Sequence, residues 1–235
     1  MTADPRRIVA MGGGGFEVGS VGPLMNGFLL SLLPRGRPRV CFVPTASGDD
    51  RDAVTGFFDT FAAHAETTWL PLFQRRDVDL RSLVLGQDLV LVWGGNTANM
   101  LAVWRTHGLD EILHDAWSAG VVLAGMSAGA ICWFEACVTD SFGPGLAPLY
   151  DGLGLLAGSC CPHYDAEPLR RPTFRRLVGE GFPPGYAVDD DAALVFAGTD
   201  LVEVVAATPR AHAYRVESGP DGAIETEIPT RLLGG

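Results

Sequence analysis

The chain has 235 residues, of which 47% are hydrophobic, and it carries a formal net charge of −11. This length suits one large α/β domain or two small ones, and the acidic balance argues against nucleic acid and anionic membrane surfaces as partners. Apolar runs stay below the ~18 residues of a membrane span, and the N-terminus leads into a predicted strand without a secretory hydrophobic segment, so we expect a soluble, cytoplasmic protein.

Two residue types narrow the chemistry further. All 17 basic residues are arginine, and the lack of lysine excludes a P-loop lysine, a Ser-Lys dyad and a pyridoxal Schiff base. The five cysteines are odd in number and have no Cys-x-x-Cys spacing, so we expect buried free thiols rather than disulfides or a zinc site. We expect no metal and no cofactor.

The first half of the chain alternates between predicted strands and helices. Short apolar runs predict strands at 8–11, 39–44, 67–72 and 88–93. Helices are predicted at 21–33, 53–65, 80–85, 98–107 and 109–119. This alternation implies a mostly parallel, doubly wound sheet, in which ligands bind outside the carboxyl ends of the strands.

Four glycines, at 12–15, follow the first strand. Their position suggests a dinucleotide site, but Glu17 and Val18 stand where the third glycine of Gly-x-Gly-x-x-Gly would fall. We therefore interpret this loop as close backbone packing near a functional site, and not as a phosphate cradle.

A Gly-x-Ser-x-Gly motif follows the apolar run that begins at Val121. We predict a strand before Ser127 and the start of a buried helix over 128–135, which is the setting of a nucleophile elbow. Gly125 and Gly129 leave room for the sharp turn, and the N–H of Ala128 would face developing negative charge. The alternative is a tight turn that merely contains a serine.

A nucleophilic serine needs a base, and the base needs an orienting acid. His163 follows a proline at a predicted strand end, whereas the other histidines fall on helices or at the start of a late strand: His64, His107, His114 and His212. The acid stays open among four candidates: Glu135, Asp140, Asp165 and the aspartate run 189–191.

The last part of the chain predicts one helix and several short strands. The helix contains Arg170, Arg171, Arg175 and Arg176, and the strands are predicted at 192–196, 201–206, 212–216 and 223–228. We expect these strands to form an antiparallel appendage to the same sheet. Because there are no repeats or linkers, residues 1–235 are predicted to form a single domain.

Taken in order, five motifs resemble the peptidase E (aspartyl dipeptidase) family of serine peptidases, whose wider relatives include cyanophycinase. They are the Gly-Gly-Gly after the first strand, Gly-Gly-Asn-Thr at 94–97, Gly-Met-Ser-Ala-Gly-Ala at 125–130, Pro-His-Tyr at 162–164 and Val-Asp-Asp-Asp-Ala-Ala-Leu at 188–194. The resemblance covers most of the chain. It implies a class I glutamine amidotransferase-like α/β fold with serine in place of the amidotransferase cysteine.

The resemblance also implies roles for individual residues. It gives a triad of Ser127, His163 and Asp190, an oxyanion hole from the N–H groups of Gly95 and Ala128, and Asn96 and Thr97 near the substrate. Asp190 is one methylene shorter than the glutamate typical of the family, so Glu135 and Asp165 remain alternative acids.

Substrate preference is likewise implied by the resemblance. Aspartyl dipeptidases bind the substrate's Asp carboxylate through an arginine beyond the histidine, and Arg170 is the nearest match, with Arg171 as an alternative. The implied activity is hydrolysis of short peptides, dipeptides with an N-terminal Asp, through an acyl-enzyme on Ser127. The alternatives are an amidase or cyanophycinase-like hydrolase and a non-catalytic binding protein. A homodimer is the family-level expectation.

Overall fold

The structure is a computed structural model that describes residues 6–14, 22–75 and 77–234. The predicted helix start at Val21, and Gly15, Glu17 and Val18 of the glycine-rich segment, lie outside the described residues.

The secondary structure follows the predicted alternation closely. The helices are α1 (Gly22–Ser31), α2 (Arg51–Phe61), α3 (Leu80–Leu85), α4 (Thr97–His107), α5 (Leu109–Ser118), α6 (Ala128–Ile131) and α7 (Arg170–Gly179). The strands are β1 (Arg7–Met11), β2 (Arg39–Val43), β3 (Glu66–Trp69), β4 (Leu89–Val92), β5 (Val122–Met126), β6 (Phe134–Thr139), β7 (Ala147–Leu149), β8 (Leu156–Cys161), β9 (Gly185–Val188), β10 (Ala192–Ala197), β11 (Asp200–Ala206), β12 (Ala213–Gly219), β13 (Gly222–Ile228) and β14 (Arg231–Leu232).

The larger sheet has the strand order β14-β11-β10-β1-β5-β4-β2-β3 across the described residues. The pairs β1–β5, β5–β4, β4–β2 and β2–β3 are parallel, whereas β10 is antiparallel to both β1 and β11. The predicted mostly parallel sheet with short antiparallel C-terminal strands is therefore confirmed. Because β1, β4 and β5 run in the same direction, the loops that follow them meet at one edge.

Helices cover both faces of this sheet. Along β1, Ile8 and Ala10 pack into the core on the side of α4 and α5, while Val9 and Met11 pack into the core on the side of α1 and α2. Strands buried on both faces consist of continuous apolar runs, and this is why the sequence predicted them well. None of the helices in the described ranges is long and apolar enough to cross a membrane.

A second sheet corrects the prediction for the last strands. β12 and β13 do not extend the larger sheet but form a separate one, in the order β13-β12-β9-β8-β6-β7. β13 alternates between exposed and half-buried residues, which is typical of a hairpin with one face in water. Helix α7 packs against both strands of this hairpin, β12 and β13.

The buried helix predicted over 128–135 is also wrong in its length. The helix ends at Ile131, and the chain then enters β6. Within β6 the exposed Glu135 stands between the buried Phe134 and Ala136, a period of two that favours a strand over a buried helix. All five cysteines are buried and free, as predicted.

Candidate active site

Ser127 occupies the sharp turn between β5 and α6. Its backbone has φ 56° and ψ −115°, a conformation that costs an L residue about 1–3 kcal/mol and that concentrates at functional sites. Both glycines of the motif are required by the packing. A Cβ on Gly125 would lie 2.0 Å from the Gly129 carbonyl oxygen, and one on Gly129 would lie 2.3 Å from the carbonyl oxygen of Val92.

Backbone hydrogen bonds hold this turn against the first strand. The Ser127 N–H donates to the Met11 carbonyl at 3.1 Å, and the Ser127 carbonyl accepts the N–H groups of Ala130 and Ile131 at 2.9 and 3.0 Å. The strained turn is therefore fixed on both sides, and the hydroxyl has a defined position at the edge of the sheet.

His163 reaches this hydroxyl from the end of β8. Its Nε2 lies 2.6 Å from Ser127 Oγ, and its Nδ1 lies 2.7 Å from Asp190 Oδ1. The histidine side chain is 19% exposed, and its backbone has a φ of 135°, which is rare for an L residue. With the proton on Nδ1, the ring donates to Asp190 and accepts the Ser127 hydroxyl, which is the arrangement of a nucleophile with its base and orienting acid.

The three aspartates before β10 have separate environments. Asp190 faces His163, as described above. Asp189 is 3% exposed, and its carboxylate accepts the backbone N–H of His212 at 2.9 Å. Burial raises the Asp189 pKa to about 6. The pKa of Asp191 is also raised, first by burial and then by the charges of Asp190 and Asp165.

The other candidate acids do not contact the histidine. Asp165 Oδ1 accepts the backbone N–H of Asp190 at 3.0 Å, so it supports the acid that faces the ring. Glu135 is exposed on β6 and accepts the Gly158 N–H at 2.8 Å. The structure thus contradicts Glu135 as the alternative acid, because β6 carries its side chain into solvent. Asp140 is exposed just beyond β6.

The glycine-rich loop packs directly against the histidine–aspartate pair. A Cβ on Gly13 would lie 2.1 Å from Asp190 Oδ1 and 2.8 Å from His163 Nδ1. A Cβ on Gly12 would lie 2.1 Å from the Asp189 carbonyl oxygen. The interpretation of the loop as close backbone packing near the site is confirmed.

A second glycine pair, after β4, borders the serine. A Cβ on Gly94 would lie 3.2 Å from Ser127 Cβ, and Gly95 has a φ of 137° with the Ala46 carbonyl 2.3 Å from a Cβ built on it. Among the residues that the structure describes, the N–H groups of Gly95 and Ala128 have no acceptor within the chain. Both amides thus remain available to an oxygen bound beside the serine.

Asn96 and Thr97 are used in internal contacts. The Asn96 side chain accepts the Asn99 N–H at 2.9 Å, which caps α4, and donates to the Ser141 carbonyl at 3.0 Å. Thr97 is 1% exposed, with its hydroxyl 3.5 Å from that of Thr139. These residues shape the loop that carries Gly95, and the side chain of Thr97 is buried in the protein.

The structure also contradicts the predicted contact of Arg170 with a substrate carboxylate. Arg170 is 3% exposed and donates to Glu167 Oε2 at 2.7 Å and to the Val138 carbonyl at 3.0 Å. Its guanidinium is therefore turned into the protein, where the i, i+3 glutamate and a strand carbonyl engage it. Arg171 donates to Glu225 and lies over the ring of Tyr164.

A small cavity that no sequence pattern indicated is lined by Met126, the residue before Ser127. It lies between α1 and the sheet, and its volume is about 30 Å³. Most of its wall is apolar and comes from Met11, Met25, Leu29, Leu91, Trp93 and Met126. In the sequence these residues follow the same patterns as core residues, and no local signal separates a cavity wall from a filled core.

Comparisons with known proteins relate the chain to peptidases. The family model of peptidase family S51 matches residues 8–204. The chain is 45% identical over 231 residues to the uncharacterized peptidase YgaJ of Bacillus subtilis (strain 168), covering 97% of this chain and 100% of that protein. It is 27% identical over 177 residues to the uncharacterized peptidase Lmo0363 of Listeria monocytogenes serovar 1/2a, covering 69% of this chain and 84% of that protein.

A solved structure supports the fold. The crystal structure of a peptidase from an acI-B1 Actinobacterium matches with a TM-score of 0.70 at 20% identity, covering 97% of this chain and 95% of that one. The predicted class I glutamine amidotransferase-like α/β fold and the peptidase E-like family are both confirmed. Because the family model spans most of the chain and a relative is 45% identical along its whole length, the chain belongs to peptidase family S51 and is a serine-type peptidase.

Proposed function

We propose that the protein hydrolyses short peptides through a covalent acyl-enzyme on Ser127. The observation that carries this proposal is the pair of contacts made by one imidazole. His163 lies 2.6 Å from the Ser127 hydroxyl on one side and 2.7 Å from the Asp190 carboxylate on the other. Both distances fall within the roughly 2.6–3.2 Å that nucleophilic catalysis requires between a nucleophile, its base and the orienting group.

Acylation follows from this geometry. Ser127 Oγ attacks the carbonyl carbon of the scissile peptide bond while His163 Nε2 accepts the hydroxyl proton. Asp190 accepts the Nδ1–H and stabilises the imidazolium. The carbonyl oxygen becomes negatively charged, and the N–H groups of Gly95 and Ala128 donate to it. When the intermediate collapses, the C–N bond breaks and His163 returns its proton to the leaving amine.

Deacylation repeats these steps with water. His163 takes a proton from the attacking water, the new C–O bond forms, and the ester bond to Ser127 breaks as Nε2 returns the proton to Oγ. The products are a carboxylic acid and the free enzyme. Each cycle consumes one peptide bond and one water molecule and regenerates Ser127, His163 and Asp190 in their starting protonation states.

The predicted preference for an N-terminal Asp is not part of this proposal. The resemblance to aspartyl dipeptidases implies it, with Arg170 as the nearest match for the carboxylate ligand, but that side chain is paired with Glu167 and buried. The proposed activity is therefore hydrolysis of short peptides, with the side-chain preference set by other residues.

The test combines labelling of the serine with hydrolysis of dipeptides. We expect a fluorophosphonate probe to label the wild type, and Ser127→Ala to abolish both labelling and turnover, with kcat falling by about 10⁴-fold or more. Ser118→Ala is the matched control, because Ser118 is exposed at the end of α5 and should leave both signals unchanged. A folded wild type that neither reacts nor hydrolyses any peptide would favour a non-catalytic binding protein.

A further inference from the structure

The cavity is lined by residues that adjoin Ser127, His163 and Asp190 in the sequence or in space. Met126 directly precedes Ser127, and the Met11 carbonyl accepts the Ser127 N–H at 3.1 Å. Gly13, which also lines the cavity, packs against the His163–Asp190 pair. A group attached to an acyl carbon on Ser127 would therefore have this cavity as a neighbour.

The size of the cavity limits what it can hold. Its volume is about 30 Å³, and on this scale one water molecule needs about 10–15 Å³. There is room for two or three water-sized groups, which corresponds to the methyl of alanine or the isopropyl group of valine. Leucine and larger side chains would need the methionine walls to move.

The charge of the cavity disfavours an acidic side chain. Asp191 lines it beside the apolar residues, and among the described lining residues none is an arginine. A substrate carboxylate placed here would lose water without gaining a cationic partner, which is costly. It would also meet the Asp191 carboxylate, and the charges of Asp190 and Asp165 already act on that group.

We infer that this cavity binds the side chain of the residue whose carbonyl Ser127 attacks, and that it selects a small apolar side chain, alanine or valine, over aspartate. The inference rests on the proposed function, because it needs an acyl group on Ser127. Met25 is one of the α1 residues that line the cavity, and its long side chain forms part of the apolar wall, whereas the carboxylate of Asp191 disfavours negative charge.

The experiment compares kcat/KM across dipeptides that differ only in the first residue: Gly-Ala, Ala-Ala, Val-Ala, Leu-Ala, Met-Ala and Asp-Ala. We expect the wild type to prefer Ala-Ala and Val-Ala to Asp-Ala by at least about ten-fold. One methylene in an apolar pocket is worth about 10–200-fold. We therefore expect Met25→Ala to raise kcat/KM for Leu-Ala and Met-Ala, relative to that for Ala-Ala, by at least about ten-fold.

Two further variants complete the design. Asp191→Asn should raise kcat/KM for Asp-Ala relative to the dipeptides with an uncharged first side chain. The substitution removes the repulsion between the two carboxylates and keeps the side-chain size. Leu24→Ala is the matched control, because Leu24 lies one residue before Met25 on α1 but is 41% exposed, and it should leave the ranking unchanged. If Met25→Ala fails to fold, Met25→Phe gives the opposite test. The larger side chain should abolish hydrolysis of Val-Ala and leave hydrolysis of Gly-Ala intact.

The failure of this inference differs from that of the proposed function. A wild type that is labelled at Ser127 but prefers Asp-Ala, or a ranking that does not change in either Met25 variant, overturns the inference alone. A folded wild type without labelling and without hydrolysis of any dipeptide overturns both.

Discussion

The carboxylate of Asp165 accepts a hydrogen bond from the backbone N–H of Asp190, with Oδ1 and N 3.0 Å apart. Asp165 lies two residues after His163, and Asp190 contacts the His163 ring. The loop that carries the base therefore also fixes the backbone of the acid. This second connection explains how the shorter aspartate, in place of glutamate, is held within reach of the imidazole.

Replacing Asp165 tests this support. We expect Asp165→Ala to lower kcat by up to about ten-fold with little change in KM, because an ordinary hydrogen bond contributes about 0.5–1.5 kcal/mol. Asp165→Asn should retain most of the activity, since its amide oxygen can accept the same N–H. Steady-state kinetics on the best dipeptide measures both. Equal losses in the two variants would show that the charge of Asp165, and not its hydrogen bond, matters.

Gly13 tests the close packing of the glycine-rich loop. A Cβ at this position would lie 2.1 Å from Asp190 Oδ1 and 2.8 Å from His163 Nδ1, so Gly13→Ala must displace the pair. A displacement of about 1 Å at such a site can cost about 100-fold in rate, and we expect a loss of kcat of that order. Gly27→Ala on α1 is the control, because nothing lies within 4 Å of its built Cβ. Unchanged kcat in Gly13→Ala would contradict the close approach.

The larger sheet could be predicted from the sequence, whereas the smaller one could not. Strands such as β4 are buried on both faces and appear as uninterrupted apolar runs. β6 and β13 contain exposed residues, such as Glu135, and their pairing depends on partners far along the chain. Local patterns carry no information on which sheet a half-exposed strand joins.

Of the three residues proposed as the triad, Ser127 could be located from its own surroundings, whereas only the family resemblance selected Asp190. The sharp turn at Ser127 leaves no room for a Cβ on Gly125 or Gly129, so these two glycines mark the position of the serine in the sequence. Substrate contacts lack such a local requirement. An arginine such as Arg170 looks the same in the sequence whether it faces a ligand or, as here, Glu167. The apolar residues that line the cavity likewise have the same sequence pattern as core residues.

The raised pKa of Asp189 leads us to expect a specific pH dependence of the free energy of unfolding. Burial raises its pKa in the folded protein from 3.8 to about 6. The Asp189 carboxyl group therefore binds a proton more tightly in the folded state than in the unfolded state. The stability that this protonation contributes is lost as the pH rises from about 4 to above 6. Asp189→Asn removes the titration and keeps an oxygen for the His212 N–H. We expect the free energy of unfolding of this variant, relative to the wild type, to increase over this interval and then level off. Urea unfolding at several pH values measures it, and a pH-independent difference would contradict the raised pKa.

Tyr164 connects the histidine loop to the hairpin of β12 and β13. Its hydroxyl donates to Glu225 Oε2 at 2.5 Å, and the Glu225 side chain is only 10% exposed. A hydrogen bond to a charged group contributes about 1.5–3 kcal/mol, so we expect Tyr164→Phe to lower the free energy of unfolding by about that amount. It should also lower kcat, because the strained His163 backbone next to it loses an anchor. Tyr150→Phe is the matched control, since Tyr150 is 66% exposed. Equal stability and kcat in the two variants would show that this connection does not hold the catalytic loop.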